Sequence, residues 1–413
     1  MARLLAALFF IVTLVFTGSP AQARDDRENC LGNSDLSPEV RILACTNLIR
    51  QTKSDKTLRA GAYFSRASVY WQKGIKDKSR DDEYHAIADY TQAIRLTAIT
   101  PQCFFPGQNA NAAQRPDCRS AIGTVFASYH NRDHVYAGID DFKHAIADYT
   151  VEIEATPQFY LPVRYRAVAY SAVGDYPRAI DDASVSLKLY PQDDEAYRLR
   201  AGAYLKQRNF EKAVADYSQG ATLAEARVKD NPAYVSQFYM GRAQAYAGGK
   251  KLPDAINDYS KAIQLDPQVA MYVARGTAYF DSGDKVRAIV DLNEAIRLEQ
   301  DFAPAWNSRC WVEAISDELA YAFRDCNEAA RLAPDNPLVL DSRGLVNLKI
   351  GNLDASSADY DAALKANPQL ASSLYGRGLA KNKKQPHGGD SDLAAAAAIQ
   401  PDIAKDYSGY GLK

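Results

Sequence analysis

The chain has 413 residues, with 49 Lys and Arg against 51 Asp and Glu and a formal net charge of −2. No basic excess is available to neutralise a phosphate backbone, which argues against a nucleic-acid partner. Length alone predicts two or three globular domains. Internal repetition overrides that prior.

The first residues read MARLLAALFFIVTLVFTGSPAQA. Arg3 leads an apolar run from Leu4 to Phe16, and Ala21-Gln22-Ala23 offers the small residues a signal peptidase requires. The run is shorter than the roughly 20 residues of a membrane span, which sets aside the uncleaved anchor. Residues 1–23 are therefore expected to be a secretory signal peptide, leaving a mature chain from Arg24 with a net charge of −3. No Cys directly follows the cleavage point, which argues against a lipoprotein, and no later segment is apolar enough for insertion into a membrane. The expected location is outside the cytoplasm, a bacterial periplasm first and secretion second.

Residues 24–56 read as an N-terminal cap with a lone helix over 37–50. There Cys45-Thr46-Asn47-Leu48-Ile49 matches the later Tyr90-Thr91-Gln92-Ala93-Ile94. Beyond it a register mark recurs, Arg with an aromatic three before it in many copies. Arg132, Arg166, Arg200, Arg242, Arg275, Arg309, Arg343 and Arg377 follow at steps of 34, 34, 42, 33, 34, 34 and 34 residues. Arg66 is an earlier, interrupted copy. Tyr comes four after the Arg at Tyr70, Tyr136, Tyr170, Tyr204, Tyr246 and Tyr279. A small residue comes thirteen after, as at Ala145, Ala213 and Ala288, and Asp sixteen after in seven copies. Apolar spacings of three and four predict two amphipathic helices per copy. Gly174-Asp175, Gly283-Asp284 and Gly351-Asn352 lie between the helices, and Pro closes many copies.

The irregular copies predict three departures. About seven residues extend the hairpin near 76–83, a loop is inserted at about 102–126, and eight extra residues lie between Arg200 and Arg242. An Ala-rich helix over 392–400 and a Tyr-bearing tail at 401–413 end the chain.

These marks closely resemble the tetratricopeptide repeat family, in its exported bacterial form. Tyr272, Gly276, Tyr279, Ala288, Leu292 and Ala295 carry the match in one copy, and Trp306 opens the next. The departure is Arg where the family usually has Leu. The resemblance covers residues 57–400. It implies an all-α fold, a right-handed superhelical solenoid of about nine helical hairpins with capping segments.

Two antiparallel helices of that kind bring each Arg and Asp to one level on the same flank. The expected structural pairs are Arg132 with Asp148, Arg166 with Asp182, Arg200 with Asp216, Arg242 with Asp258, Arg275 with Asp291, Arg309 with Asp325, and Arg343 with Asp359. The family's inner groove maps onto Met240, Gln244, Val273, Thr277, Phe280, Asn307, Trp311, Leu345 and Leu348. This mixed apolar surface lacks a Lys or Arg clamp for acidic tails and suits a peptide segment. Six Cys in an exported chain predict disulfides rather than a zinc site. They fall into three couples: Cys30 with Cys45, Cys103 with Cys118, and Cys310 with Cys326. In the family pattern the places of Cys310 and Cys326 face each other across the hairpin.

His130 and His134 lie four apart on one helix, but Asn131 takes the place of the Glu in a metalloprotease motif, so they read as polar groove residues. No nucleophile triad or phosphate loop appears. The carboxylates repeat with the period, whereas an active site is needed once. The expected function is therefore binding of a protein or peptide partner along the concave face, without a cofactor, a metal or catalysis. One rival is an assembly role in a cell-envelope complex through the convex face or the ends. The other is a metal or redox enzyme built on His130, His134 and the cysteines.

Overall fold

A computed structural model describes residues 20–32, 35–97, 116–228 and 230–412, with side chains from residue 24 and, after the gap, from residue 123. Every regular element among the described residues is an α-helix. The chain divides into two compact units, Met1–Gln192 and Asp193–Lys413.

The first unit stacks four helical hairpins among its described residues. They are α1 (Pro20–Leu31) on α2 (Pro38–Gln51), α3 (Lys56–Asp77) on α4 (Arg80–Leu96), α5 (Pro116–Gly138) on α6 (Phe142–Ala155), and α7 (Tyr160–Ala172) on α8 (Tyr176–Leu189). The second unit stacks α9 (Asp194–Lys206) on α10 (Phe210–Arg227), α11 (Pro232–Gly248) on α12 (Leu252–Leu265), and α13 (Val269–Asp281) on α14 (Lys285–Leu298). It continues with α15 (Ala303–Ile315) on α16 (Leu319–Leu332), α17 (Pro337–Lys349) on α18 (Leu353–Ala366), and α19 (Ala371–Lys384) on α20 (Asp390–Ile399). A short helix, α21 (Ile403–Gly409), follows.

Turn chemistry sets the hairpins. Gly174, Gly283 and Gly351 adopt φ of 78°, 87° and 86°, the left-handed turn where glycine has no Cβ penalty. The next residue often caps the second helix: Asp175 and Asp284 each accept the backbone N–H three residues on. Ala145, Ala179, Ala213, Ala255, Ala288 and Ala322 are all fully buried, so the two helices of a hairpin meet over methyl groups. Between hairpins, aromatic rings fill the space that small residues leave. A Cβ on Gly241 would lie 2.4 Å from the Tyr217 ring.

The repeated Arg ties these layers together, and all seven expected pairs form. Nε and Nη2 of Arg132 donate to the two carboxylate oxygens of Asp148, sixteen residues on. In the same way Arg166 holds Asp182, Arg200 holds Asp216, Arg242 holds Asp258 and Arg275 holds Asp291, all at 2.6–2.9 Å. Arg309 also holds Asp325, and Arg343 holds Asp359, at 2.5–3.1 Å. Arg66 reaches Asp89 across its longer hairpin, and Arg377 reaches Asp392, one residue short of the usual spacing. The remaining nitrogen leaves the hairpin. Nη1 of Arg132 donates to Thr91, that of Arg242 to Ser218, that of Arg275 to Ser260 and that of Arg309 to Asn293. Each of these acceptors lies two residues after the Asp of the preceding hairpin. The guanidinium is also flanked by rings, Arg275 between Tyr272 and Tyr279 at 5.8 Å each, which gives the aromatic register its physical basis.

Three sequence expectations are corrected. The helix over 38–51 is not alone, since α1 packs on it and Cys30 lies bonded to Cys45. The α1 sequence, PAQARDDRENCL, is too polar to show an apolar period. The inserted stretch is not loop throughout, because residues 116–126 are helical, with Pro116 at a first-turn position that a helix tolerates. The eight extra residues form no separate element. They lengthen α10 and α11 to 18 and 17 residues, where neighbouring hairpins have 14 and 13. Of the expected signal sequence, residues 1–19 lie outside the described residues. The expected bond between Cys103 and Cys118 does too: Cys103 is not among the described residues, and Cys118 is described in its backbone alone, within α5.

Candidate functional site

The first helices of the second unit's hairpins carry the nine predicted groove residues. Gln244 and Thr277 are exposed, and Met240, Val273, Phe280, Asn307 and Trp311 are half-buried. Leu345 and Leu348 are not open groove: they are 1% and 2% exposed and belong to a core with Ile403, Tyr407 and Leu412. The cover is the tail itself. Ile403 and Tyr407 recur at helical spacing and turn one apolar face of α21 inward. The Tyr407 hydroxyl donates to the Ser372 carbonyl at 2.7 Å, and the Tyr410 ring meets Trp311 edge-on at 5.4 Å. The sequence marks a Tyr-bearing tail but offers no periodic run long enough to show that it folds back.

Beside this cover lies a cavity of about 290 Å³ lined by Phe280, Asp281, Asn307, Ser308, Trp311 and Asp341, among others. Its walls are partly aromatic and partly polar. Oδ1 of Asn307 is buried without a hydrogen-bond partner. Asp341 accepts from the Ser373 hydroxyl at 2.5 Å. Burial pushes its carboxyl up to about 6, against the pull of Ser373 and Ser372. Burial also raises Asp281. The site can therefore take an apolar side chain together with a hydrogen-bond donor.

The cysteines sit in the hairpin cores. Cys310 on α15 and Cys326 on α16 are bonded with a Cα–Cα distance of 5.3 Å, and Cys30 and Cys45 with 4.7 Å. All four are fully buried.

The first unit presents a different surface. His130, Asp133 and His134 lie on one face of α5, and Glu152 faces them from α6. His130 Nδ1 is 3.3 Å from Glu152 Oε2. Glu152 raises the His130 imidazole, while burial and then the nearby His130 lower His134. Burial, then Glu152, pushes the Asp133 carboxyl far above the usual carboxylate range. Trp71, Tyr149 and Tyr165 enclose His134, with ring centroids at 6.3, 6.1 and 4.8 Å. The sequence marks the two histidines by their spacing of four and passes over Asp133 and Glu152.

Comparison with known proteins places the repeat. Tetratricopeptide repeat profiles match residues 166–225 and 269–302. The chain is 27% identical over 126 residues to protein FlbA of Caulobacter vibrioides, covering 28% of this chain and 21% of that protein. It is 34% identical over 65 residues to human tetratricopeptide repeat protein 13, covering 16% and 8%. The aligned stretches thus span under a quarter of either relative. Among solved structures, the APC/C hetero-tetramer Cut9–Hcn1 is similar at a TM-score of 0.50 and 15% identity, covering 91% of this chain and 83% of that one. At that identity the likeness is one of fold. No helix among the described residues is long and apolar enough to cross a membrane.

Proposed function

We propose that this chain, which carries tetratricopeptide repeats, is an exported scaffold that binds a helical, aromatic-bearing segment of a protein partner on the first-helix face of its second unit. The observation that carries the reading is the tail. The surface formed by Trp311, Leu345 and Leu348 already holds one short amphipathic helix, with Tyr407 and Tyr410 as its anchors. A face that accepts such a segment in cis has the shape and polarity for another in trans, the helix-in-groove mode. The neighbouring cavity at Phe280 and Trp311 supplies the unfilled anchor pocket, with the exposed Thr277 at its edge, and Gln244 is exposed on the first helix of the preceding hairpin. Buried aromatic anchors dominate such interfaces. Binding rather than catalysis is the role that this surface supports. Export is supported by the N-terminal sequence and by the bonded cysteine couples, which belong to oxidising compartments. The same two features support a periplasmic location, with secretion as the alternative.

The test is site-specific photocrosslinking in living cells. A crosslinker at Gln244 or Thr277 is expected to capture a discrete protein, and Trp311→Ala is expected to abolish the capture while the helical content stays unchanged. Positions Val286 and Val290, exposed on α14, report the opposite face. Capture from those two alone would transfer the function to that face and favour an assembly role.

A further inference from the structure

Two positions of the hairpin are reserved for small residues. The residue after the Arg is Ala67, Ala167, Ala201, Ala243, Gly276, Cys310, Gly344 or Gly378. The residue four after the Asp is Ala93, Ser186, Gly220, Ala262, Ala295, Ala329 or Ala363. In one hairpin both positions hold acids: Asp133 follows Arg132, and Glu152 lies four after Asp148. Asp133 is 0% exposed and Glu152 1%.

Neither acid has the guanidinium that the repeating Asp enjoys, because Arg132 is engaged by Asp148. Oδ2 of Asp133 and Oε1 of Glu152 are buried without a hydrogen-bond donor, although the two carboxyl groups are within reach of each other. The other oxygen of each meets a histidine, that of Asp133 meeting His134 and that of Glu152 meeting His130. Two buried carboxylates that face one another are still disfavoured, so a positive charge belongs between them. The same face brings the atoms that would hold one. His130, Asp133 and His134 each offer a donor atom within 4.8 Å of the others. Residues at i, i+3 and i+4 share a helix face, which is how a single helix supplies three donors.

We propose that His130, Asp133 and His134, with Glu152 behind them, form a binding site for one divalent first-row transition-metal ion. Two imidazoles and a carboxylate suit zinc, and the same trio with open positions suits ferrous iron. Tetrahedral metal–ligand bonds of about 2.0–2.2 Å place donors about 3.3–3.6 Å apart, so a pair at the 4.8 Å limit closes by about 1 Å, within the reach of side-chain rotation. His134 is already oriented for it. Its Nδ1 donates to the His130 carbonyl at 2.9 Å and also meets Oδ1 of Asp133, leaving Nε2 as the ligand atom. Glu152 lies 3.3 Å from His130 and either orients that ring or supplies a fourth oxygen. Asp133 is sealed, but the His130 side chain is 38% exposed and gives an ion a way in.

The experiment uses the purified chain, stripped with a chelator and titrated separately with Zn²⁺, Fe²⁺ and Mn²⁺. Calorimetry reads stoichiometry, and thermal unfolding reads stabilisation. One ion is expected to bind at one equivalent per chain and to raise Tm. His134→Ala and Asp133→Asn are expected to abolish both effects, and Glu152→Gln to weaken binding roughly 10–100-fold. His387→Ala, on an exposed His–Asp pair, is expected to change nothing. Circular dichroism shows that each variant is folded. The proposal is overturned if none of the three ions saturates, or if uptake persists in both His134→Ala and Asp133→Asn. Metal insensitivity with a more stable Asp133→Asn would overturn it too, and would identify the occupant as a shared proton.

Discussion

The hairpin of Arg275 and that of Arg132 share one frame and differ in what fills it. In the first, the two small slots hold Gly276 and Ala295, and the buried acid, Asp291, has its guanidinium. In the second, the same slots hold Asp133 and Glu152, two further acids for which no guanidinium remains. The comparison separates carboxylates that recur because the fold needs them from carboxylates that occur once. Periodicity is thus a diagnostic: what repeats is scaffold, and what breaks the repeat has another reason to be there.

The largest effect belongs to the repeating acid. Asp291→Ala leaves a guanidinium only 18% exposed without its partner. It is expected to cost about 3–5 kcal/mol, as removal of one member of a buried pair does, read by urea unfolding. A loss below about 1 kcal/mol, the level of an exposed pair, would mean that solvent already screens it.

A second test uses the position two before the Arg, which is His130 in one hairpin and Asp341 in another. Burial raises the Asp341 carboxyl from 3.8 to about 6. The folded state therefore holds this proton more tightly than the unfolded state. The contribution of Asp341 to stability is complete below about pH 4, falls as pH rises towards about 6, and is level above. The fall is about 3 kcal/mol. Asp341→Asn removes the titration, so unfolding curves of the two proteins should diverge across that window, with the variant the more stable at neutral pH.

A smaller effect is expected at Asp133. Replacing it by Ala, the residue that several of its counterparts carry, removes a buried acid without a cation in metal-free buffer. The change should stabilise by about 1–3 kcal/mol, opposite in sign to Asp291→Ala. The smallest effect concerns the link between hairpins. Ser260→Ala removes the acceptor for Arg275 Nη1 and should cost about 1 kcal/mol, leaving the Asp291 contact intact.

The repeat was legible because its marks are physical. In the regular copies Arg and Asp stand sixteen apart, so Asp182, Asp216, Asp325 and Asp359 could each be assigned a partner from spacing alone. Ala145 and its counterparts must be small where helices touch. The link from Arg to the preceding hairpin was legible too, in Thr91, Thr150, Ser218 and Ser260 two after the Asp, a period that the Arg-centred reading passes over. Helix α1 was not, because a polar helix without an apolar stripe is held by tertiary contact and leaves no pattern. Of the candidate groove, Met240, Phe280 and Trp311 fall on the first-helix face. Leu345 and Leu348 fall beneath a segment whose fold-back depends on three-dimensional fit rather than on local spacing. Asp133 and Glu152 were passed over, because they differ only from their counterparts in the other copies, as acids in slots otherwise given to small residues.

The added length of α10 and α11 shows how such a chain can change without losing its phase. The extra residues fall between Ser218 and Arg242, beyond the points where one hairpin grips the next, and Arg242 still donates to both Asp258 and Ser218. A residue added within a helix between an Arg and its Asp would swing one partner about 100° around its axis. Length is therefore gained in the turns or in whole helical turns, and Arg66 with Asp89, 23 apart, and Arg377 with Asp392, 15 apart, stay paired. New material such as the Arg227 and Tyr234 side chains, which fasten the lengthened ends to Asp194, can accumulate between hairpins while the stack stays in step.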